Sequence, residues 1–304
     1  TFATFRRAAY TQTVGHRGVA QSVARGVWDA EVGGSSPLTP TPCVREGASF
    51  PNYFCLSNSE KIRMTETRNG SFEALVSRPD THVVLDLATE SRVLLILFGG
   101  IAGGVSMPVF EFFRVTADFP VKKAFLRDPR RGWYQLGIPG VGDSAQAVKI
   151  LLDEVIARAD VDRVVMAGAS AGGFAALLFG AACEVDEVIA FSPQTFVDAA
   201  NRSRANDGRW PEQIAALHAN VADRGLALDL REALPAGAGK TRIQVHVSAD
   251  DELDLLHARR IADRGGVHIV EHQQGGHRLV KTLRDRGLLE PILKDAADAT
   301  GYRG

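Results

Sequence analysis

Apolar residues recur with regular spacing from residue 62 onward, in short runs that alternate with longer amphipathic stretches. The run 93–98 is continuously apolar, which is typical of a strand buried on both faces. The pattern predicts strands over 62–76, 82–88, 92–98, 121–126, 164–167, 187–191, 242–248 and 267–272, and helices over 107–116, 144–158, 174–180, 209–233, from about 254 and after 277. Strands that alternate with helices of this length predict an α/β fold, with a mostly parallel sheet covered by helices on both faces.

Residues 1 to about 55 lack this periodicity. They are rich in Gly, Ser, Pro and Thr, as in the run 32–42, which predicts a disordered or loosely attached segment. Residues 18–42 also look like the conceptual translation of a transfer-RNA gene, so we expect the natural protein to begin further along. The main domain is therefore predicted over 56–304, with a helical insertion at about 194–238.

Length and composition narrow the class of protein. A chain of 304 residues with 45% hydrophobic residues can bury one large α/β core, and its net charge of -1 gives no sign of a nucleic-acid partner. We find neither an apolar run of about 18 residues nor a signal peptide, which predicts a cytoplasmic protein without a membrane span. The three cysteines, at 43, 55 and 183, have no metal-ligand spacing and predict no metal site. Nothing in the sequence indicates an oligomeric state.

The most informative motif is the run Gly-Ala-Ser-Ala-Gly-Gly at 168–173. It follows an apolar strand and precedes a helix of small residues, so Ser170 lies at the turn between them. A serine in such a sharp turn needs small neighbours, and its hydroxyl projects above the sheet at a helix N-terminus. This arrangement resembles the nucleophile elbow of the α/β-hydrolase family.

That resemblance implies a base and an acid further along the chain, because a serine hydroxyl needs both to become a nucleophile. Three acids, Asp250, Asp251 and Asp254, follow the strand that ends at 248, and His277 follows paired glycines after the last strand. We expect His277 to be the base. We favour Asp251 as the acid over Asp254, which we interpret as a helix N-cap, and place Asp250 third.

The remaining histidines receive structural interpretations. His246, His268 and His272 lie on predicted strands, and His257 is predicted to lie on a helix surface. None of them has the helix spacing and the third ligand that a metal site needs.

The resemblance also implies an oxyanion hole made of backbone N–H groups. Ala171 follows the nucleophile and supplies one donor, and Gly100 or Ile101, in the glycine-rich loop after strand 93–98, supplies the other. Loss of one such donor typically costs about 3 kcal/mol of barrier. The family often has His-Gly where this chain has Phe98-Gly99, a change that affects loop support rather than the donor. The glycine spacing does not fit a dinucleotide fingerprint, so no cofactor is expected.

Further motifs at 97–100, 125–128, 132–134, 190–195 and 276–277 resemble a poorly characterised bacterial branch of α/β-hydrolases, some of whose members are linked to surface polysaccharides. The match covers about 90–290. Trp133 and Tyr134 either line a substrate pocket or pack beneath a loop. We therefore expect a serine hydrolase acting on a small-molecule or glycan-linked ester. The alternatives are an acyltransferase with the same acyl-enzyme and a non-catalytic binding module.

Overall fold

The computed structural model describes residues 81–101, 110–220, 226–237 and 239–298. Within these ranges the strands are β1 (Val83–Asp86), β2 (Val93–Phe98), β3 (Lys122–Leu126), β4 (Arg163–Ala169), β5 (Glu187–Phe191), β6 (Arg242–Ser248) and β7 (Val267–His272). They form one seven-stranded sheet in the order β1-β3-β2-β4-β5-β6-β7. Only β1 is antiparallel to its neighbour, β3. The predicted mostly parallel sheet is confirmed, whereas the predicted strand 62–76 and segment 1–55 lie outside the described residues.

Helices cover both faces of this sheet. They are α1 (Phe113–Thr116), α2 (Ala145–Ala159), α3 (Ala171–Ala182), α4 (Ala199–Arg204), α5 (Pro211–Ala219), α6 (Leu230–Ala233), α7 (Glu252–Arg260), α8 (Leu279–Asp285) and α9 (Leu289–Ala297), with a 3₁₀ turn at Gly276–Arg278. One buried apolar cluster joins the sheet to α2, α3 and α7, and a second joins it to α8 and α9. None of the helices in the described ranges combines the length and apolar character needed to cross a bilayer.

Strand β2 shows why the continuous apolar runs form strands. Leu94, Ile96 and Phe98 belong to the first cluster, and their neighbours Leu95 and Leu97 belong to the second. Because successive side chains of a strand point to opposite faces, a strand covered on both faces must be apolar at every position. A strand of this kind offers no positions for polar functional side chains, so we expect these side chains in the loops at the carboxyl ends of the strands.

The predicted helical insertion forms α4, α5 and α6, which lie between β5 and β6. Asp198 and Asp229 cap α4 and α6 by accepting backbone N–H bonds. The single helical stretch predicted over 209–233 is thus two helices, and residues 221–225 between them lie outside the described ranges. The insertion follows directly after β5, so its first residues lie at the carboxyl edge of the sheet.

A buried histidine pair makes stability sensitive to acid. The Nδ1 atom of His246 on β6 lies 3.0 Å from Nε2 of His272 on β7, and His246 is only 3% exposed. Burial, with smaller effects from His272 and His268, lowers the pKa of His246 to about 3. In the unfolded chain the His246 side chain therefore binds a proton near pH 6.5, whereas in the folded chain it stays neutral at that pH.

The free energy of unfolding is expected to be highest above pH 6.5 and to fall as the pH drops toward 3. The reason is that protons bind to His246 in the unfolded chain and thereby stabilise the unfolded state. The replacement His246→Phe should make this fall shallower, since it keeps a planar ring and removes the titration. Denaturation midpoints measured from pH 7 to 4 would check it, with the exposed His268→Asn as control. An equally steep fall in both variants would contradict the assignment.

Candidate active site

Ser170 lies at the strained turn between β4 and α3. Its backbone has φ 53° and ψ -116°, a combination that residues other than glycine rarely adopt. Its N–H donates to Phe191 O at 2.9 Å. The turn is possible because a Cβ on Gly168 would lie 2.1 Å from Gly172 O, and one on Gly172 would lie 2.3 Å from Phe98 O. Only glycine fits at either position, so these two residues bring strand and helix into contact beneath the serine.

His277 faces this serine from the loop after β7. Its Nε2 lies 3.0 Å from Ser170 Oγ. The loop turns through Gly275 and Gly276, with φ 147° and 51°, and the Asp250 carboxylate accepts the Gly276 N–H at 2.9 Å. The paired glycines bring the imidazole within hydrogen-bond distance of the serine, and Asp250 fixes the loop that carries it.

The carboxylate that contacts His277 is Asp254. Its Oδ2 and Oδ1 lie 2.9 and 3.0 Å from His277 Nδ1, and the side chain is fully buried. Asp251 instead caps α7, with its Oδ1 accepting the Asp254 N–H at 2.9 Å. The interpretation of Asp254 as the N-cap is therefore wrong, and the favoured acid Asp251 makes the capping bond instead. Because α7 begins at Glu252, Asp254 lies in its first turn and reaches the histidine.

The partners of Asp254 stabilise its ionised form. Burial raises the pKa of this carboxyl, but hydrogen bonds and charge from His277 and Arg209 outweigh burial and hold the pKa below its usual value. Asp254 is therefore ionised at neutral pH and can hold the Nδ1 proton of His277. The Nε2 atom is then free to accept the proton of Ser170.

Gly100 lies beside the serine. A Cβ on Gly100 would be 3.7 Å from Ser170 Cβ and 3.1 Å from Ala169 O. Tyr134 OH lies 3.0 Å from the Gly99 carbonyl oxygen. That carbonyl and the Gly100 N–H belong to one planar peptide unit, so the tyrosine also fixes the direction of the N–H. Ala171 opens α3, and its N–H is one of the first-turn donors that have no partner within the helix.

The Gly100 N–H already has an acceptor, the carboxyl of Glu111. Its Oε2 lies 3.3 Å from the Gly100 nitrogen. Burial raises the pKa of Glu111, and the Gly100 N–H, Arg284 and His277 act more weakly in the opposite direction. A substrate carbonyl that uses this N–H must displace Glu111. The other expected donor, Ile101, is buried and adjoins the segment 102–109, which lies outside the described residues.

Replacement of Glu111 by Gln should raise kcat/KM for a short-chain nitrophenyl ester several-fold at pH 8. The neutral amide has nearly the same shape, but it does not repel negative charge that develops on an oxygen near Gly100. Initial rates for the two proteins at pH 8 would check this. A lower kcat/KM in the variant would show that the Glu111 charge helps the reaction.

Comparisons with solved structures bear on the fold. The chain is 16% identical to a chain of the Glycosylation Associate Protein (Gap123) complex of Streptococcus agalactiae, over 75% of this chain and 47% of that one, with TM-score 0.55. It is 13% identical to the capsule O-acetyltransferase of Neisseria meningitidis serogroup A, over 70% of this chain and 90% of that one, with TM-score 0.54. The chain has the α/β-hydrolase fold.

At these identities the likeness establishes the fold alone. This chain spans less than half of the Streptococcus agalactiae chain. No protein-family model matches the sequence, and no curated protein matches it. The function of this chain therefore depends on the side chains that the fold brings together.

Trp133 and Tyr134 support the glycine-rich loop. Both side chains are fully buried, which leaves no surface for a substrate to touch. Trp133 Nε1 donates to Gln194 Oε1 at 3.0 Å, and Tyr134 OH lies within 3.0 Å of the carbonyl oxygens of Gly99 and Leu126. The structure therefore favours packing beneath the loop, and the interpretation of these residues as pocket-lining is wrong.

A charged cluster behind the acid was missed by the sequence analysis. Arg209 Nη1 lies 2.7 Å from Asp254 Oδ1 and 3.3 Å from His277 Nδ1. On its other side Arg209 binds Asp207, which also contacts His257 Nε2 at 3.1 Å. His257 is fully buried, so its predicted place on a helix surface is wrong. Hydrophobic periodicity carries no signal for buried ionic partners such as these.

Proposed function

We propose that this chain is a serine hydrolase that cleaves an ester through an acyl-enzyme on Ser170. The observation that carries the proposal is the continuous line from Ser170 Oγ to His277 Nε2, at 3.0 Å, and from His277 Nδ1 to Asp254, at 2.9 Å. A serine, a histidine and a buried carboxylate in this order are the parts that acyl transfer to a hydroxyl requires. An intact arrangement of this kind argues against a binding module without activity.

The reaction follows from these contacts. His277 Nε2 removes the proton of Ser170 as Oγ attacks the ester carbonyl carbon, and Asp254 stabilises the imidazolium that forms. In this mechanism the N–H groups of Ala171 and Gly100 receive the oxyanion once Glu111 has moved aside. The protonated His277 then gives its proton to the leaving alcohol. Water, activated by the same nitrogen, releases the acid and restores Ser170.

A second candidate is acyl transfer, in which the acyl group passes from Ser170 to the hydroxyl of a sugar instead of to water. The likeness to a capsule O-acetyltransferase supports this candidate at the level of the fold. The chemistry of the first half-reaction is the same in both. The two candidates differ in whether a glycan hydroxyl competes with water for the acyl-enzyme, so the proposed substrate class is an ester of a small molecule or of a glycan.

The proposal is tested by incubating the full chain with nitrophenyl acetate, with and without an oligosaccharide acceptor. We expect nitrophenol release that saturates with ester concentration. Mass spectrometry of the acceptor separates the candidates: unmodified acceptor indicates hydrolysis, and acceptor heavier by one acetyl group indicates transfer. The absence of nitrophenol release above the level of Ser170→Ala, for acetyl through octanoyl esters, would contradict both.

A further inference from the structure

Arg209 links the proposed catalytic triad to the helical insertion. It lies between α4 and α5, directly before Trp210, and its guanidinium contacts two buried carboxylates at once. Nη1 binds Asp254 Oδ1 at 2.7 Å, while Nε and Nη2 bind the two oxygens of Asp207 at 3.0 and 3.1 Å. Both carboxylates are fully shielded from solvent, so these are charge-assisted bonds in a site of low dielectric.

Asp207 is itself firmly held. Burial raises the pKa of Asp207, but its bonds with His257 and Arg209 outweigh burial and keep the pKa well below the usual value. The Thr195 N–H donates to His257 Nδ1 at 2.9 Å, so the ring proton is on Nε2 and is donated to Asp207. Burial lowers the pKa of His257, which therefore stays neutral. Asp207 remains ionised at working pH and anchors Arg209.

The position of Arg209 has two consequences for the triad. First, it fixes one oxygen of Asp254 and thereby the plane of the carboxylate that holds His277. Second, its Nη1 atom lies 3.3 Å from His277 Nδ1, so the guanidinium also borders the imidazole ring. The other side chains that contact the ring are those of Ser170 and Asp254.

We propose that Arg209 is a positioning residue of the triad, which orients the Asp254 carboxylate and, through it, the ring of His277. This inference rests on the proposed function. It makes the insertion a part of the active site rather than a cover over it. Changes in the insertion that displace Arg209 would lower turnover without touching Ser170 or His277.

The test is a matched pair of variants, Arg209→Gln and Arg209→Lys, with Arg204→Gln as the control. Arg204 is an exposed arginine of the same insertion whose side chain binds only Asn201 among the described contacts. In Arg209→Gln the Asp254 carboxylate loses both the cation and the planar guanidinium that hold it. In Arg209→Lys the cation remains and only the planar guanidinium is lost.

Turnover at the plateau of the pH profile reports positioning. Lysine cannot bind two carboxylates as the guanidinium does, so both variants should lose about tenfold in kcat, and Arg204→Gln should lose nothing. Wild-type kcat in either variant, or an equal loss in Arg204→Gln, would overturn the proposal. Arg209→Lys decides the matter if Arg209→Gln does not fold.

Positioning can also be measured without turnover. The Cε1–H signal of His277 in a ¹³C-histidine NMR spectrum, assigned by its absence in His277→Gln, should change its chemical shift in Arg209→Gln and Arg209→Lys but not in Arg204→Gln. If the signal changes in this way but the wild type hydrolyses no ester, the proposed function fails and the positioning role of Arg209 stands. If the wild type is active and neither the signal nor kcat changes in the Arg209 variants, the inference fails and the function stands.

Discussion

Replacement of Ser170 by Ala is expected to abolish ester hydrolysis, with a loss in kcat of about 10⁵- to 10⁶-fold, as for the nucleophile of other serine hydrolases. The only atom removed is the hydroxyl oxygen that lies 3.0 Å from His277 Nε2. Gly168 and Gly172, which shape the turn, are unchanged. The variant should therefore fold with a denaturation midpoint within a few degrees of the wild type, and kcat for nitrophenyl acetate would measure the loss.

A matched control exists at the end of the neighbouring strand. Ser192 follows β5, has a positive φ of 43°, and its Oγ has no hydrogen-bond partner in the described part of the chain. The variant Ser192→Ala changes a serine whose φ is also positive and should retain hydrolysis. Activity that survives in Ser170→Ala, or is lost equally in Ser192→Ala, would remove the basis for the nucleophile assignment.

The second large effect is expected from Asp254→Asn, which should lower kcat by about 10⁴-fold. An asparagine amide can donate to His277 Nδ1, which places the ring proton on Nε2 and prevents this atom from accepting the proton of Ser170. Asp251→Asn should be nearly neutral, because asparagine is an equally good N-cap for α7. Each variant differs from the wild type by the replacement of one carboxylate oxygen with an amide nitrogen, and the two substituted residues lie three positions apart.

Rates and denaturation midpoints for the pair would separate an orienting acid from a cap. The proposed roles predict a large rate loss in Asp254→Asn and little change in either quantity for Asp251→Asn. A large rate loss confined to Asp251→Asn would return the acid role to that residue.

The centre of the sheet was predictable because a strand covered on both faces must be apolar at every position. The run 93–98 and the strand before Ser170 cannot belong to a half-exposed sheet, and the helices between them supply the parallel connections. The turn at Ser170 was predictable for a related reason, since Gly168 and Gly172 have no space for a Cβ. A steric constraint on a single position can be recognised from the residue type at that position.

The choice between Asp251 and Asp254 depended on where one helix begins. Both residues lie in the segment after β6, and both can cap a helix. The structure begins α7 at Glu252, which makes Asp251 the cap and directs Asp254 toward the histidine loop. A helix start predicted from sequence is accurate only to within a few residues, and Asp251 and Asp254 lie within that range of each other.

Buried polar partners were the second kind of residue that the sequence did not indicate. Arg209 and His257 look like ordinary polar positions in the sequence, but Arg209 contacts Asp254, which is 45 residues away, and His257 contacts Asp207, which is 50 residues away. Trp133 is a similar case, because its buried indole N–H donates to Gln194, which is 61 residues away. Such pairs obey no local spacing rule.

The most direct test of the central claim is to trap the acyl-enzyme or its analogue on Ser170. The full chain is incubated with a fluorophosphonate, digested, and the peptides are mapped by mass spectrometry. The proposed mechanism predicts one adduct, on the peptide that contains Ser170, which is absent from Ser170→Ala and present in Ser192→Ala. A wild-type protein that hydrolyses esters but carries no adduct, or carries it on another residue, would contradict the account.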